Sequence, residues 1–353
     1  MKVTLTVLSA PWAEPLRSAH DAATTAGREL VLCELQDATG RCGWGEAAPL
    51  PSYDGVSLAA VLAALEDLVP ILAADPGDDL GALGAACRAH CRVPQALAAV
   101  DLALWDLHGR RRGAPLWQLL GAAAPAPVPV NALIGAEAPA RAATQARMAV
   151  TAGFGTVKVK VGVGDDIARV AAVRAAVGDG IRVRVDANGA WAEPGAALAT
   201  LAALDRFALE LCEEPVHGAA GIAAVQRGTQ LPIAVDESSP EPAVLEHRCA
   251  DLLCVKISAA GGLSGALEQA RRARELGYEV FLASTLDGPL GIAAALHAGA
   301  VLGPGRACGL ATLSRFAAPS PLPVHGGVMA PPPGPGLGEG LLPWYAAQRG
   351  VSR

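Results

Sequence analysis

Thr156-Val157-Lys158-Val159-Lys160-Val161 sets three valines against two lysines in strict alternation. Successive side chains of a strand point to opposite faces, so Lys158 and Lys160 share one face and the valines the other. Burying two like charges side by side is expensive, and a chain that does so gains something from it. A lysine crowded by a second cation gives up its proton more readily, which is how a lysine becomes a base near neutral pH. An edge strand with two solvated lysines is the ordinary alternative. The segments that follow decide between them.

The chain has 353 residues, of which 52% are apolar and only 4% aromatic, so Ala, Val, Leu and Gly carry the packing. That length fits a barrel of about 250 residues with a smaller domain of about 100. The first part reads α+β. Residues 3–8, 28–35 and 43–47 have the pattern of an antiparallel sheet, with Asp37-Ala38-Thr39-Gly40 as a turn. Residues 56–72 and 94–111 have helical periodicity, the second with Leu97, Val100, Leu104 and Leu107 on one stripe. Asp101 and Asp106 fall off that stripe and read as solvated or paired along the helix. Pro125-Ala126-Pro127 marks a domain entry.

From there strand and helix alternate. Strands are expected at residues 128–134, 156–161, 181–186, 209–213, 233–236, 252–256, 279–284 and 307–310, and helices at 139–152, 165–177, 194–203 and 264–276. Eight short apolar strands with intervening helices predict an α/β fold, a parallel (β/α) barrel. The competing doubly wound sheet lacks a Gly-x-Gly-x-x-Gly opening its first helix. The expected division is an α+β capping domain over 1–124, the barrel over 125–320, and a turn-rich segment over 321–353 that packs back on the capping domain.

The expected strands end in charge. The second ends with Lys158 and Lys160, the third with Asp186 followed by Asn188, the fourth with Glu213, the fifth with Asp236 and the sixth with Lys256. The C-terminal ends of parallel barrel strands converge on one mouth, where barrel enzymes keep their active sites. Three neighbouring carboxylates need a cation to stay ionised together. Hard oxygen ligands on a rigid frame suit Mg2+, with Mn2+ as the alternative ion. Glu214 and Glu237 compete with their neighbours as ligands, but alternation turns Glu214 away if Glu213 points inward. A divalent cation flanked by lysines fits abstraction of a proton next to a carboxylate: the ion stabilises the enediolate and a lysine takes the proton.

In order and spacing these residues resemble the enolase superfamily, in its muconate-lactonising branch. The Lys158/Lys160 pair, Asp186 in Asp-Ala-Asn, Glu213 in Glu-Glu-Pro, Asp236 in Asp-Glu-Ser and Lys256 before Gly261-Gly262 carry the resemblance. Gly43-Trp44-Gly45-Glu46-Ala47-Ala48-Pro49-Leu50 and Ala99-Val100-Asp101-Leu102-Ala103-Leu104-Trp105-Asp106-Leu107 extend it to the capping domain. It implies a modified TIM barrel with a capping domain, Mg2+ on Asp186, Glu213 and Asp236, Lys160 and Lys256 flanking the substrate, and Lys158 tuning Lys160.

The last two strand ends resemble o-succinylbenzoate synthases: Ala283-Ser284-Thr285-Leu286-Asp287-Gly288-Pro289-Leu290-Gly291, then Ala307-Cys308-Gly309-Leu310-Ala311-Thr312-Leu313. Dipeptide epimerases of this branch usually carry an Asp-x-Asp at the eighth end, where this chain has Gly309-Leu310-Ala311-Thr312 without an acid. The resemblance therefore implies a syn dehydration in menaquinone synthesis. Muconate cycloisomerase, N-acylamino acid racemase and dipeptide epimerase are the alternatives, with a non-catalytic metal-dependent binder as the reading from another class. Expected substrate contacts are Ser284, Asp287 and Asn188 at the mouth, with Arg17 and Tyr53, beside His20 and Asp54-Gly55, in two loops of the capping domain.

The net charge of −6 and the absence of a basic tract argue against nucleic acid as a partner. Met1-Lys2-Val3-Thr4-Leu5 lacks the apolar core of a signal peptide, and no apolar run is smooth enough to span a bilayer. Eight cysteines without a Cys-x-x-Cys pair read as buried hydrophobes in a reducing cytoplasm. Cys87, His90 and Cys91 lack the further ligands a zinc site needs. The expected partner is a small-molecule carboxylate; a homo-oligomer is compatible with the sequence.

Overall fold

In the computed structural model, which describes residues 1–14, 26–73 and 79–352, three strands open the chain. They are β1 (Lys2–Pro11), β2 (Gly27–Gln36) and β3 (Cys42–Ala47), joined antiparallel. Val31, Cys33 and Leu35 of β2 alternate onto one face. They pack with Val61, Leu65, Leu68 and Leu72 of helix Leu58–Ala73 and with Val100, Leu104 and Leu107 of helix Pro94–Arg112. A further helix, Leu80–His90, which the sequence reading did not separate, supplies Cys87 to this same apolar core, beside Cys91.

Helix Pro94–Arg112 is buried on nearly every side because it is wedged between the sheet and the barrel. Gly45 permits the approach: a Cβ there would stand 2.0 Å from the Ala99 carbonyl oxygen. This burial overturns the solvated half of the expectation for Asp101 and Asp106, while the half that pairs them along the helix holds for Asp106, which meets Arg110 four residues on. Asp101 accepts from Ser264 N at 3.0 Å across the domain boundary. Asp106, fully buried, accepts from Trp44 N (3.0 Å), Leu337 N (2.7 Å) and Arg110 Nε (2.7 Å). A period-3.6 stripe identifies one buried face, and here the opposite face is buried too.

The barrel begins with β4 (Val128–Pro129) and β5 (Ala132–Ile134) and continues through β6 (Thr156–Lys160), β7 (Arg182–Asp186), β8 (Cys212–Glu213), β9 (Ile233–Val235), β10 (Leu252–Lys256) and β11 (Glu279–Ala283). Strands β5 to β11 form one parallel sheet in consecutive order. Three expectations need correction. The segment expected as one strand over 128–134 is two, and its first half pairs antiparallel with β12 (Val328–Met329). The fourth barrel strand shrinks to two residues, ended by Glu214 at φ +40° and by Pro215, which has no N–H for the ladder. The eighth is no strand: Cys308 bridges Val130, and Gly309 bridges Ala283. Those two bridges still join the first barrel strand to the last. Among the described residues no helix is long and apolar enough to cross a membrane, and all eight cysteines are free.

The C-terminal segment runs back across both domains. Its strand β13 (Arg349–Ser352) adds to β1, and His297, accepting from Trp117 N at 3.1 Å, bonds the Leu337 carbonyl at 3.2 Å. Tyr345 donates to the buried Glu46 carboxylate and accepts from Leu290 N at 2.8 Å. Glu46 also accepts from Gly291 N at 2.9 Å. Burial, reinforced by the Asp287 carboxylate, pushes Glu46 up to about 8 despite these hydrogen bonds.

Two outcomes test this docking. Asp106→Ala leaves the buried Trp44 and Leu337 N–H groups without an acceptor and should lower the unfolding free energy by about 3 kcal/mol or more in urea titrations, with Asp106→Asn losing less. Glu46 holds its proton in the folded chain up to about pH 8, whereas the unfolded chain releases it near the usual carboxylate range. Stability therefore falls as pH rises through that window, by up to roughly 1.4 kcal/mol per pH unit. Glu46→Gln should gain on the wild type progressively from about pH 5 to about pH 8, and a difference constant with pH would show that Glu46 is already ionised in the fold.

Candidate active site

The parallel register assembles the charged strand ends. Lys160 pairs with Asp186 across β6 and β7, and Asp186 with Glu213 across β7 and β8. Asp236 follows β9, and Lys256 ends β10. None of these side chains is more than a tenth exposed. Lys158 and Lys160 leave the same face, as the alternation requires. Lys158 Nζ lies 2.8 Å from both Asp186 Oδ2 and Glu213 Oε1. Lys160 Nζ lies 2.7 Å from Asp186 Oδ2 and from Asn188 Oδ1. Lys256 Nζ donates to Asp236 Oδ2 at 2.7 Å.

The capping domain closes onto this ring through Tyr53, on the short helix Pro51–Asp54. Its hydroxyl donates to Asp236 Oδ1 at 2.9 Å, and Lys256 Nζ stands 4.0 Å from its ring centroid, within cation–π range. Tyr53 thus touches both a carboxylate and a lysine of the ring.

The charges do not balance evenly. For Asp186, burial favours the neutral acid, but Lys158 and Lys160 outweigh it and hold the carboxyl well below its ordinary range. Asp236 is likewise lowered, by Lys256 and Lys158 against burial. Burial favours a neutral amine at Lys158, yet Asp186 and Glu213 raise its proton affinity. At Lys158 the nearby carboxylates thus count for more than the second amine. Glu213 is the exception among the acids, pushed up to about 8 by burial and by Asp186 and Asp236, with Lys158 opposing. Its Oε2 is buried with no hydrogen-bond partner among the described residues. An unpartnered carboxyl oxygen on Glu213, with Asp186 and Asp236 close enough to raise its proton affinity, belongs to a donor set that suits a hard divalent cation.

The two competing glutamates are held elsewhere. Glu214 accepts from Asp236 N (2.8 Å), Ser238 N (3.0 Å) and the Ser238 hydroxyl, so it supports the loop that presents Asp236. Glu237 Oε1 accepts from Asn188 Nδ2 at 2.7 Å, which orients Asn188 toward Lys160.

At the seventh and eighth ends, Ser284 Oγ and Thr312 Oγ1 lie 2.7 Å apart, and Ser284 also accepts from Leu286 N at 3.2 Å. Asp287 is buried, with its oxygens accepting from Thr285 Oγ1 (2.6 Å) and Thr285 N (3.2 Å). It is engaged in its own turn, where a substrate contact was expected. Arg17 and His20 lie outside the described residues.

Arg28 was missed as anything but strand. It is buried, and its guanidinium donates to the Ala48 and Thr285 carbonyls at 2.9 Å, to Leu286 O at 3.4 Å and to Pro49 O. It joins the loop leading to Tyr53 to the seventh strand end, where Leu286 takes φ +61°. An arginine on the same strand face as Leu30 and Leu32 was the available signal.

Residues 2–121 match the family model described as the mandelate racemase/muconate lactonizing enzyme N-terminal domain, and residues 141–343 match the enolase C-terminal domain-like model. The L-Ala-D/L-Glu epimerase of Bacillus subtilis is 33% identical over 313 residues, covering 84% of each chain. A substrate-liganded structure of that epimerase superposes with a TM-score of 0.87 at 30% identity, over 96% of this chain and 98% of that one. The o-succinylbenzoate synthase of Thermobifida fusca is 39% identical over 241 residues, 62% of this chain and 74% of that protein. A dipeptide epimerase from Enterococcus faecalis, solved with Mg and the dipeptide L-Leu-L-Tyr, superposes with a TM-score of 0.87 at 26% identity, over 96% and 98% of the two chains.

Proposed function

We propose that this chain, which belongs to the enolase superfamily in its mandelate racemase and muconate lactonizing enzyme family, abstracts the proton α to a substrate carboxylate and expels a hydroxyl group, as an o-succinylbenzoate synthase. The chain is an enzyme of that superfamily. The observation that carries the reading is the placement of Lys160 and Lys256 on β6 and β10, with Asp186, Glu213 and Asp236 at the ends of the three strands between them.

Asp186, Glu213 and Asp236 would hold Mg2+, or Mn2+ in its place. When bound, the ion supplies positive charge against the substrate carboxylate as it becomes an enediolate. The rest falls to the chain itself. Lys160 takes the α-proton; Asn188 and Asp186 fix where its Nζ stands. Lys256, held by Asp236 and the Tyr53 ring, presents an ammonium to the anionic intermediate. The proton on Lys160 then passes to the hydroxyl leaving from the same face, the C–O bond breaks, and water departs as the ring becomes aromatic.

Dehydration is favoured over dipeptide epimerisation by the eighth strand end. Residues 309–312 carry no acid to hold an α-ammonium, and Thr312 meets the Ser284 hydroxyl there. A second reading, racemisation of an N-acylated amino acid, is favoured by the same two lysines, since removal and return of a proton from opposite sides needs both.

The test is turnover of the hydroxylated cyclohexadiene carboxylate with Mg2+, followed as formation of the aromatic product. Lys160→Ala should lower kcat by roughly 10^3-fold, within the range that general bases contribute. In D2O, N-acylated amino acids should exchange their α-proton only if the second reading holds. A wild-type chain that neither forms the aromatic product nor exchanges any α-proton ends the proposal.

A further inference from the structure

Cys254 stands two residues before Lys256 on β10, so the strand alternation turns both side chains to the inside of the barrel. Its Sγ, a carboxylate oxygen of Glu213 and one of Asp236 all lie within 4.8 Å of one another. Some point is then within about 2.8 Å of all three atoms, close to metal–sulfur bonds of about 2.3 Å and metal–oxygen bonds of about 2.0–2.2 Å. All three residues are buried, and one Glu213 oxygen, Oε2, lacks a hydrogen-bond partner among the described residues.

We propose that Glu213, Asp236 and Cys254 form a second, softer cation site, which takes a thiophilic divalent ion such as Zn2+ or Cd2+ and excludes the hard ion. It rests on the reading of Glu213 and Asp236 as ion ligands, because the two sites share them. Mg2+ takes oxygen donors and has no use for sulfur, whereas a thiolate adds affinity for a soft ion. On ligation the S–H bond breaks, the proton leaves to solvent, and the S–metal bond forms. The ion then competes with Lys256 for the Asp236 carboxylate. A thiophilic ion therefore blocks the hard-ion site and disturbs a flanking lysine together.

The experiment titrates the full chain with Cd2+ in the absence of Mg2+, following the ultraviolet charge-transfer band of a cadmium thiolate. Mg2+ binding is measured in parallel by calorimetry. One equivalent of Cd2+ should saturate the band, and excess Mg2+ should suppress it. Cys254→Ser and Cys254→Ala should each remove the band and weaken Cd2+ binding at least tenfold, and Glu213→Gln should weaken it with the band retained. A band of equal size in both cysteine variants, which keep Cys87 and Cys91, overturns the soft site. So does a wild-type chain that binds Mg2+ but shows no band. A chain that binds Cd2+ through Cys254 without binding Mg2+ overturns the hard-ion reading instead.

Discussion

Two lysine amines, Lys158 Nζ and Lys160 Nζ, lie within 2.8 Å of one carboxylate oxygen, Asp186 Oδ2, and the rest of the site follows from that crowding. Charges this deeply buried persist only if they are paired and hydrogen-bonded. Each lysine therefore takes a second acceptor, Glu213 for Lys158 and Asn188 for Lys160. Those acceptors must come from neighbouring strands in register, so one interaction constrains β6, β7 and β8 together. At Glu213 the near amine satisfies one oxygen and leaves the other, Oε2, without a hydrogen-bond partner among the described residues.

Much of this was legible in the sequence because period-two alternation is a local property. Once Thr156–Lys160 is recognised as a strand, the shared face of Lys158 and Lys160 is fixed. The order of charged strand ends also survives any error of one or two residues in strand length. The eighth strand was over-read because an apolar run at the right spacing looks like a strand whether or not its backbone makes a continuous ladder. The burial of Asp101 and Asp106 was illegible for the opposite reason. Their partners, Ser264, Trp44 and Leu337, are remote in sequence, and nothing local announces them.

The expected substrate contacts divide along the same physical line. Asp287 is an acid at a strand end, like Asp186 and Asp236, but its own turn consumes it. Tyr53 reaches the ring only because two domains meet, which no periodicity encodes. Strand ends inherit their direction from the barrel, whereas loop residues take theirs from whatever they happen to pack against.

Arg28 has a consequence for how the mouth behaves. One planar cation grips backbone carbonyls on either side of the seam, before Tyr53 and after β11, so the lid and the rim cannot drift independently. Carbonyls are identical in every residue, so this fastening is indifferent to the side chains around it. Side chains on the two loops are thus free to vary while the mutual position of the loops stays pinned, so a change of side chain at the mouth need not dismantle the frame that presents it.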